Sequence, residues 1–236
     1  QRGLRLADIP WGEPEVSSIA YPADVCINKP GTDVIVVGTA YAPGDRPTPS
    51  FDVRVAVGRL AKSLRIFGSR VWADDGHTHS KPLPVSEREL RYEYAFGGFD
   101  DSEPADIVEE ARNPIGVGKV RGSLQGGALP AIEDPGALVT DVDVSPAPAG
   151  LGAIGRHWQP RRAYAGTYDE HWQANYAPLP PADFDDRFNL CASPGLIATP
   201  PLLGGEDVAL LNVLPGGGAR KFALPKIQVT IEFHVT

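Results

Sequence analysis

Glycine and proline interrupt this chain so often that no long helix fits between them. The 236 residues include 26 glycines and 24 prolines. Both residue types destabilise the interior of a helix and are common in the turns between short strands. A chain of this length, with 42% hydrophobic residues, can bury a core without disulfide support. The sequence therefore predicts a mostly β fold: a single antiparallel β-sandwich-like domain over residues 1–236, with long ordered loops and one or two short helices.

Strands are predicted where apolar and polar residues alternate, because successive side chains of a strand point to opposite faces. Val53, Val55 and Val57 show this alternation, and so do residues 91–96 and 227–236. The apolar run within residues 33–40 predicts a central strand that is covered on both faces. Shorter strands are predicted at residues 63–67, 69–72, 208–213 and 220–224, with a glycine hairpin turn at 216–218.

The remaining segments predict loops and one helix. Residues 97–150 have no regular period, but they contain scattered apolar residues, which favours a long ordered loop insertion over a disordered linker. Thr167 and Glu170 have the spacing of a helix capping box, and Pro178 is expected to end that helix after Tyr176.

Charge and cysteine content narrow the classes of partner. The net charge of −8 opposes binding to nucleic acid and to anionic membranes. No apolar run approaches the ~20 residues that span a bilayer, so no membrane partner is expected. Cys26 and Cys191 form no C-x-x-C motif, and we interpret them as reduced thiols of a cytoplasmic protein without a zinc site.

Three groups of residues could carry chemistry, and each has a simpler interpretation. The stretch from Asp74 to His79 holds carboxylates and imidazoles that could bind a metal, but Asp-Asp-Gly is also common in turns. Asp183, Asp185 and Asp186 could act as acid and base, but a turn or helix cap after a proline is favoured. Cys191 lacks the glycines of a nucleophile elbow. The sequence therefore predicts no catalytic residue, no metal and no cofactor.

The segment 155–172 is unusually rich in arginine and aromatic residues. Guanidinium groups pair with carboxylates or phosphates and stack on aromatic rings, so the segment could clamp an anion. An internal network that ties it to acidic loops is the favoured alternative, followed by a protein-binding surface and then by catalysis. The candidate residues are Arg156, His157, Trp158, Arg161, Tyr164, Tyr168, Asp169 and Trp172.

Several motifs, in this order, resemble one bacterial family, the domain-of-unknown-function family 2169. The matching segments span nearly the whole chain: Lys-Pro-Gly-Thr-Asp at 29–33, Tyr-Glu-Tyr-Ala-Phe-Gly-Gly at 92–98, Arg-Asn-Pro-Ile-Gly at 112–116, Gly-Arg-His-Trp-Gln-Pro-Arg at 155–161, Tyr-Ala-Gly-Thr-Tyr-Asp-Glu-His-Trp at 164–172 and Pro-Ala-Asp-Phe-Asp at 181–185. Members of the family are typically encoded beside the spike and spike-tip (PAAR-repeat) proteins of type VI secretion systems.

This resemblance implies a cytoplasmic, non-enzymatic adaptor or chaperone. Its expected partner is an effector protein or a PAAR-type spike-tip protein, which it would help to load onto the spike. The eight candidate residues would then belong either to the core of the family's fold or to its partner surface. The alternatives are a β-sandwich carbohydrate-binding module, a metal-dependent hydrolase that uses the groups above, and a structural subunit of a larger assembly.

Overall fold

The computed structural model describes residues 4–26, 28–74, 76–100, 103, 105, 107–119 and 125–226. The predicted strand at residues 227–236 lies outside the described residues. In chain order, the strands are β1 Ile9–Pro10, β2 Ile19–Tyr21, β3 Thr32–Asp33, β4 Thr39–Tyr41, β5 Ser50–Val57, β6 Leu60–Phe67, β7 Glu87–Glu89, β8 Phe96–Gly97, β9 Phe99–Asp100, β10 Val108–Glu109, β11 Val117–Gly118, β12 Ile132–Glu133, β13 Ile197–Ala198, β14 Asp207–Leu211 and β15 Ala219–Ala223.

Helices are few and short. The α-helix α1 spans Glu170–Asn175, and 3-10 helices span Pro43–Asp45, Tyr92–Tyr94, Arg161–Tyr164 and Asp186–Asn189. Among the described residues, no helix is long and apolar enough to cross a bilayer. The predicted fold class is confirmed: the chain is a mostly β single domain with several antiparallel sheets.

The central sheet has five strands in the order β12-β6-β5-β14-β15, and each neighbouring pair is antiparallel. In β5, Val53, Val55 and Val57 are buried while Asp52 and Arg54 are exposed, as the alternation predicts. On the exposed face Asp52 pairs with Arg65 of β6 directly across the ladder. The predicted strands at 63–67, 208–213 and 220–224 lie within or overlap β6, β14 and β15, and the 216–218 turn joins the last two.

Three strand predictions are wrong. Residues 34–37 are half-buried and lie outside the central sheet, because the amides of Val34 and Val36 donate to the carbonyls of Leu196 and Leu151, which belong to two separate loops. Tyr92–Tyr94 is a 3-10 helix, held by local bonds such as that from the Ala95 amide to the Tyr92 carbonyl. Residues 69–72 form no strand, because Val71 and Trp72 make only isolated bridges, to Ala128 and His79.

The fully buried Asn113 explains why residues 92–94 do not form the predicted strand. Its Nδ2 group donates to the carbonyls of Tyr92 and Phe96, at 2.9 and 3.0 Å, and so bonds backbone groups that a neighbouring strand would otherwise pair. A side chain distant in sequence thus replaces the strand ladder that the alternation predicts.

The segment 97–150 contributes to the core. Ile132, in β12, is 1% exposed and pairs with Ile66, while Leu129 packs with Trp72 and Phe96 in a second apolar cluster. Glu133, also in β12, makes a buried ion pair with Arg70. The boundaries of an insertion at 97–150 stay a prediction.

Candidate functional site

The eight candidate residues separate into buried and exposed groups along one stretch of chain. Trp158 and Arg161 are buried at 7% and 5% exposure. Tyr164 and Trp172 are half-buried, and the remaining four residues are exposed: Arg156, His157, Tyr168 and Asp169. The segment therefore has a buried part and an exposed part, so its residues do not share one structural role.

Trp158 belongs to the main hydrophobic core. Its ring meets the ring of Tyr92 edge-on, with centroids 5.5 Å apart. Gly155 lies against the indole: a Cβ at this position would stand 2.9 Å from Nε1 of Trp158, so only glycine leaves the ring its place. This contact accounts for the Gly-Arg-His-Trp motif in terms of packing.

Arg161 is a buried cation that bonds to the backbone. Its Nε donates to the carbonyl of Phe188 at 3.0 Å, and its Nη1 donates to the carbonyl of Ile154 at 2.7 Å. The guanidinium also stacks over the Phe188 ring, 5.2 Å from its centroid. Burial lowers the pKa of Arg161. No carboxylate among the described residues lies within ion-pair distance of it.

Arg156 reaches the N-terminal part of the chain. Its Nε donates to Oδ2 of Asp8 at 2.9 Å. Burial raises the pKa of Asp8, but the hydrogen bonds from Arg156 and from the Ala23 amide outweigh that effect and hold the pKa below its usual value. Both residues line two neighbouring clefts, so this ion pair forms part of the wall between them.

The first cleft is polar and has a volume of about 560 Å³. At its base Asp33 accepts bonds from the amides of Cys191 and Ala192 at 3.0 and 2.9 Å, and Lys29 Nζ lies 2.7 Å from Asp33 Oδ2. Burial raises the pKa of Asp33, but Lys29 and the two amides outweigh it, so the pKa lies below its usual value. We call this the polar cleft.

Cys191 lines the polar cleft as a neutral thiol. Burial, together with the nearby Asp33 charge, raises the pKa of Cys191 to about 12. Its Sγ donates to Asp33 Oδ2 at 3.3 Å. A thiol in this state is a poor nucleophile, which fits the interpretation of Cys191 as a packing residue. Cys26 is exposed, and neither cysteine is in a disulfide.

The second cleft is more apolar and has a volume of about 770 Å³. Val16 and Phe99 line it while remaining 64% and 52% exposed. Trp158 closes its base, and the exposed His157 and Arg162 stand at its rim. We call this the apolar cleft.

Side-chain hydrogen bonds to backbone amides hold the end of the candidate segment in place. The predicted helix is present as α1, but its N-cap is Asp169, whose Oδ1 accepts from the Trp172 amide at 2.8 Å. The predicted cap, Thr167, instead donates from its amide and its hydroxyl to Asp183. Tyr168 and Trp172 pack edge-on, 4.7 Å between centroids, with Tyr168 56% exposed.

Arg187 and Asp185 hold the following turn. Asp185 accepts from the amide and side chain of Arg187 and so caps the Asp186–Asn189 helix. The Arg187 guanidinium stacks over Tyr164 at 4.3 Å. Asp185 is a helix N-cap, and Asp183 lies in the turn before it and accepts from Thr167, which fits the turn-and-cap interpretation of these two carboxylates.

The stretch from Asp74 to His79 also forms a turn, which the Asp74 side chain stabilises. Asp74 accepts from the amides of Gly76, His77 and Thr78, while His77 Nδ1 lies 2.9 Å from Asp141 Oδ2. Asp75 lies outside the described residues. In the part of the chain that the structure describes, no three His, Cys, Asp or Glu side chains are placed to hold a metal.

Sequence reasoning missed the acidic partners of the site. Asp8 has no motif around it, and its role follows only from a fold that brings it to Arg156. Asp33 is the last residue of the motif at 29–33. The i,i+4 spacing of Lys29 and Asp33 places their charges together. That spacing was the one available signal.

A family model described as an uncharacterized protein conserved in bacteria (DUF2169) matches residues 1–236. No protein with a curated description matches the chain, and no solved structure does.

Proposed function

Since the chain belongs to the bacterial family DUF2169, we propose that it is a non-enzymatic adaptor that binds a type VI secretion effector, or its spike-tip (PAAR) domain, and helps to load it onto the spike. The motifs that carry the resemblance support this role, and loading before secretion would place the protein in the cytoplasm. The observation that carries the proposal is the apolar cleft.

Val16 and Phe99 keep more than half of their surfaces in water although they line a concavity. Clustered exposed apolar side chains of this kind, with a polar rim, are typical of protein-binding surfaces. The buried Trp158 forms the base, so a partner side chain that enters the cleft meets a rigid aromatic wall rather than a mobile loop.

The charge at the rim of the apolar cleft indicates which kind of partner segment would bind there. Arg162 is exposed and has no carboxylate within ion-pair distance among the described residues. We therefore propose that the occupant is a segment of the effector or spike-tip protein with apolar side chains at its centre and an acidic residue that meets Arg162. Tyr168, which is 56% exposed, is a further candidate contact, because exposed aromatic residues often anchor interfaces.

The test is affinity capture from the cytosol of the bacterium that makes the protein, with the captured proteins identified by mass spectrometry. Wild type is compared with Val16→Asp and with Val142→Asp, which is the same substitution at an exposed valine outside the cleft. The proposal expects an effector or spike-tip protein with wild type and with Val142→Asp, and its loss with Val16→Asp. Equal capture by all three proteins would overturn the assignment to the cleft, and absence of any such protein would overturn the adaptor function.

A further inference from the structure

The polar cleft contains a cation, Arg161, that makes no ion pair with any described residue. Three ion pairs line the cleft: Arg5–Asp24, Lys29–Asp33 and Arg156–Asp8. Arg161 lines the same cleft, and among the described residues it has no ion pair. The described lining therefore carries one excess positive charge, in a chain whose net charge is −8.

Arg161 is also positioned for a ligand. The bonds from its Nε and Nη1 to two carbonyls fix the plane of the guanidinium. They leave Nη2 without an acceptor in the part of the chain that the structure describes. A guanidinium that is 95% buried has lost most of its hydration, and an anion that reaches it gains a charge-assisted hydrogen bond at a site already ordered.

The neighbouring thiol does not cancel this charge. Cys191 is neutral near pH 7, because burial and Asp33 raise its pKa to about 12. Its hydrogen also points to Asp33, so the sulfur offers no anion to Arg161. The remaining carboxylates of the cleft are already bonded, Asp33 by Lys29 and two amides, and Asp8 by Arg156 and the Ala23 amide.

We propose that the polar cleft binds a single carboxylate group, with Arg161 as its cation and the Arg156–Asp8 pair setting the local charge. One excess charge suits a monoanion, whereas a phosphate carries a charge near −2 and would need a second cation. The carboxylate could come from a small organic acid or from a peptide, as a chain terminus or an acidic side chain. This proposal does not depend on the adaptor function.

The test uses acetate and acetylated dialanine with a free terminus as probes, and their neutral amides as matched controls, at constant ionic strength. Binding is followed by chemical-shift titration of the backbone amides around Cys191 and of the Arg161 side chain. We expect saturable shifts with both carboxylates and none with the amides. Tighter binding of the dipeptide would identify a peptide source, and equal affinity a small acid. Absence of saturable shifts with either carboxylate would overturn the proposal.

Charge variants at the cleft wall give a second test that leaves the buried Arg161 in place. Arg156→Gln removes a cation and leaves Asp8 to compete for Arg161, so carboxylate affinity should fall about tenfold or more, which corresponds to about 1.4 kcal/mol. Asp8→Asn removes an anion and should raise the affinity. Arg220→Gln, at an exposed arginine that lines neither cleft, should change nothing. The same affinity in the first two variants would contradict the proposed site.

Discussion

Arg156 and Asp8 are 148 residues apart in sequence, and their side chains meet at 2.9 Å between two clefts of opposite character. This ion pair ties the N-terminal segment to the Arg- and aromatic-rich stretch that carries the family's motifs. On one side lies the polar cleft with the buried Arg161. On the other lies the apolar cleft, which Trp158 closes at its base. The two surfaces therefore share one structural support.

Trp158 is expected to contribute strongly to the stability of the fold, because its ring is part of the main hydrophobic core. Trp158→Ala should lower the free energy of unfolding by about 3–5 kcal/mol, because it removes a buried indole and its edge contact with Tyr92. Tyr168→Ala, at a mostly exposed aromatic residue, should cost about 1 kcal/mol or less. Urea unfolding monitored by circular dichroism measures both. Equal losses would show that Trp158 is not the core residue described above.

Asp33 should make stability depend on pH in the acid range. Its folded-state pKa is depressed, so the carboxylate stabilises the fold at neutral pH, and this contribution is lost as the pH falls below about 4 toward the folded-state pKa. Asp33→Asn should therefore be less stable than wild type at pH 7 by about 1–3 kcal/mol, and the difference should shrink in acid. The exposed Asp143→Asn serves as control. A difference that is constant from pH 7 to pH 3 would contradict this role of Asp33.

Asp169, rather than Thr167, should control the stability of helix α1, which contains Trp172. Asp169→Ala removes the acceptor of the Trp172 amide and should weaken the helix by about 1 kcal/mol. Hydrogen exchange of the Trp172 amide should accelerate roughly fivefold, as that free energy implies. In Thr167→Ala the amide should exchange at the wild-type rate, since the threonine bonds to Asp183. Acceleration only in the threonine variant would restore the capping-box interpretation.

Much of the central sheet could be predicted from the sequence, because β5, β6, β14 and β15 each carry a local pattern. Val53, Val55 and Val57 alternate with polar residues, and glycines mark the turn before Ala219–Ala223. Alternation failed at Tyr92–Tyr94, where the distant Asn113 replaces a strand partner. It also could not show that the apolar run at 34–37 pairs with loops.

The sequence could predict which segment holds the candidate site, but not how its side chains are arranged in space. Composition alone indicates that residues 155–172 are special, and it cannot separate the buried Arg161 from the exposed Arg156 and Arg162. That separation depends on which carbonyls and carboxylates the fold brings near each guanidinium. Asp8 and Phe188 are such partners, and both are distant in sequence.

The adaptor proposal is tested most directly by the affinity between the purified protein and a type VI secretion effector or spike-tip protein of the same bacterium, measured by isothermal titration calorimetry. The account predicts binding by wild type, at least about tenfold weaker binding by Val16→Asp, and wild-type affinity for Val142→Asp. The first substitution places a carboxylate in the apolar cleft, and the second does not. Undiminished affinity of Val16→Asp would contradict the apolar cleft as the binding surface, and no binding by wild type would contradict the adaptor function itself.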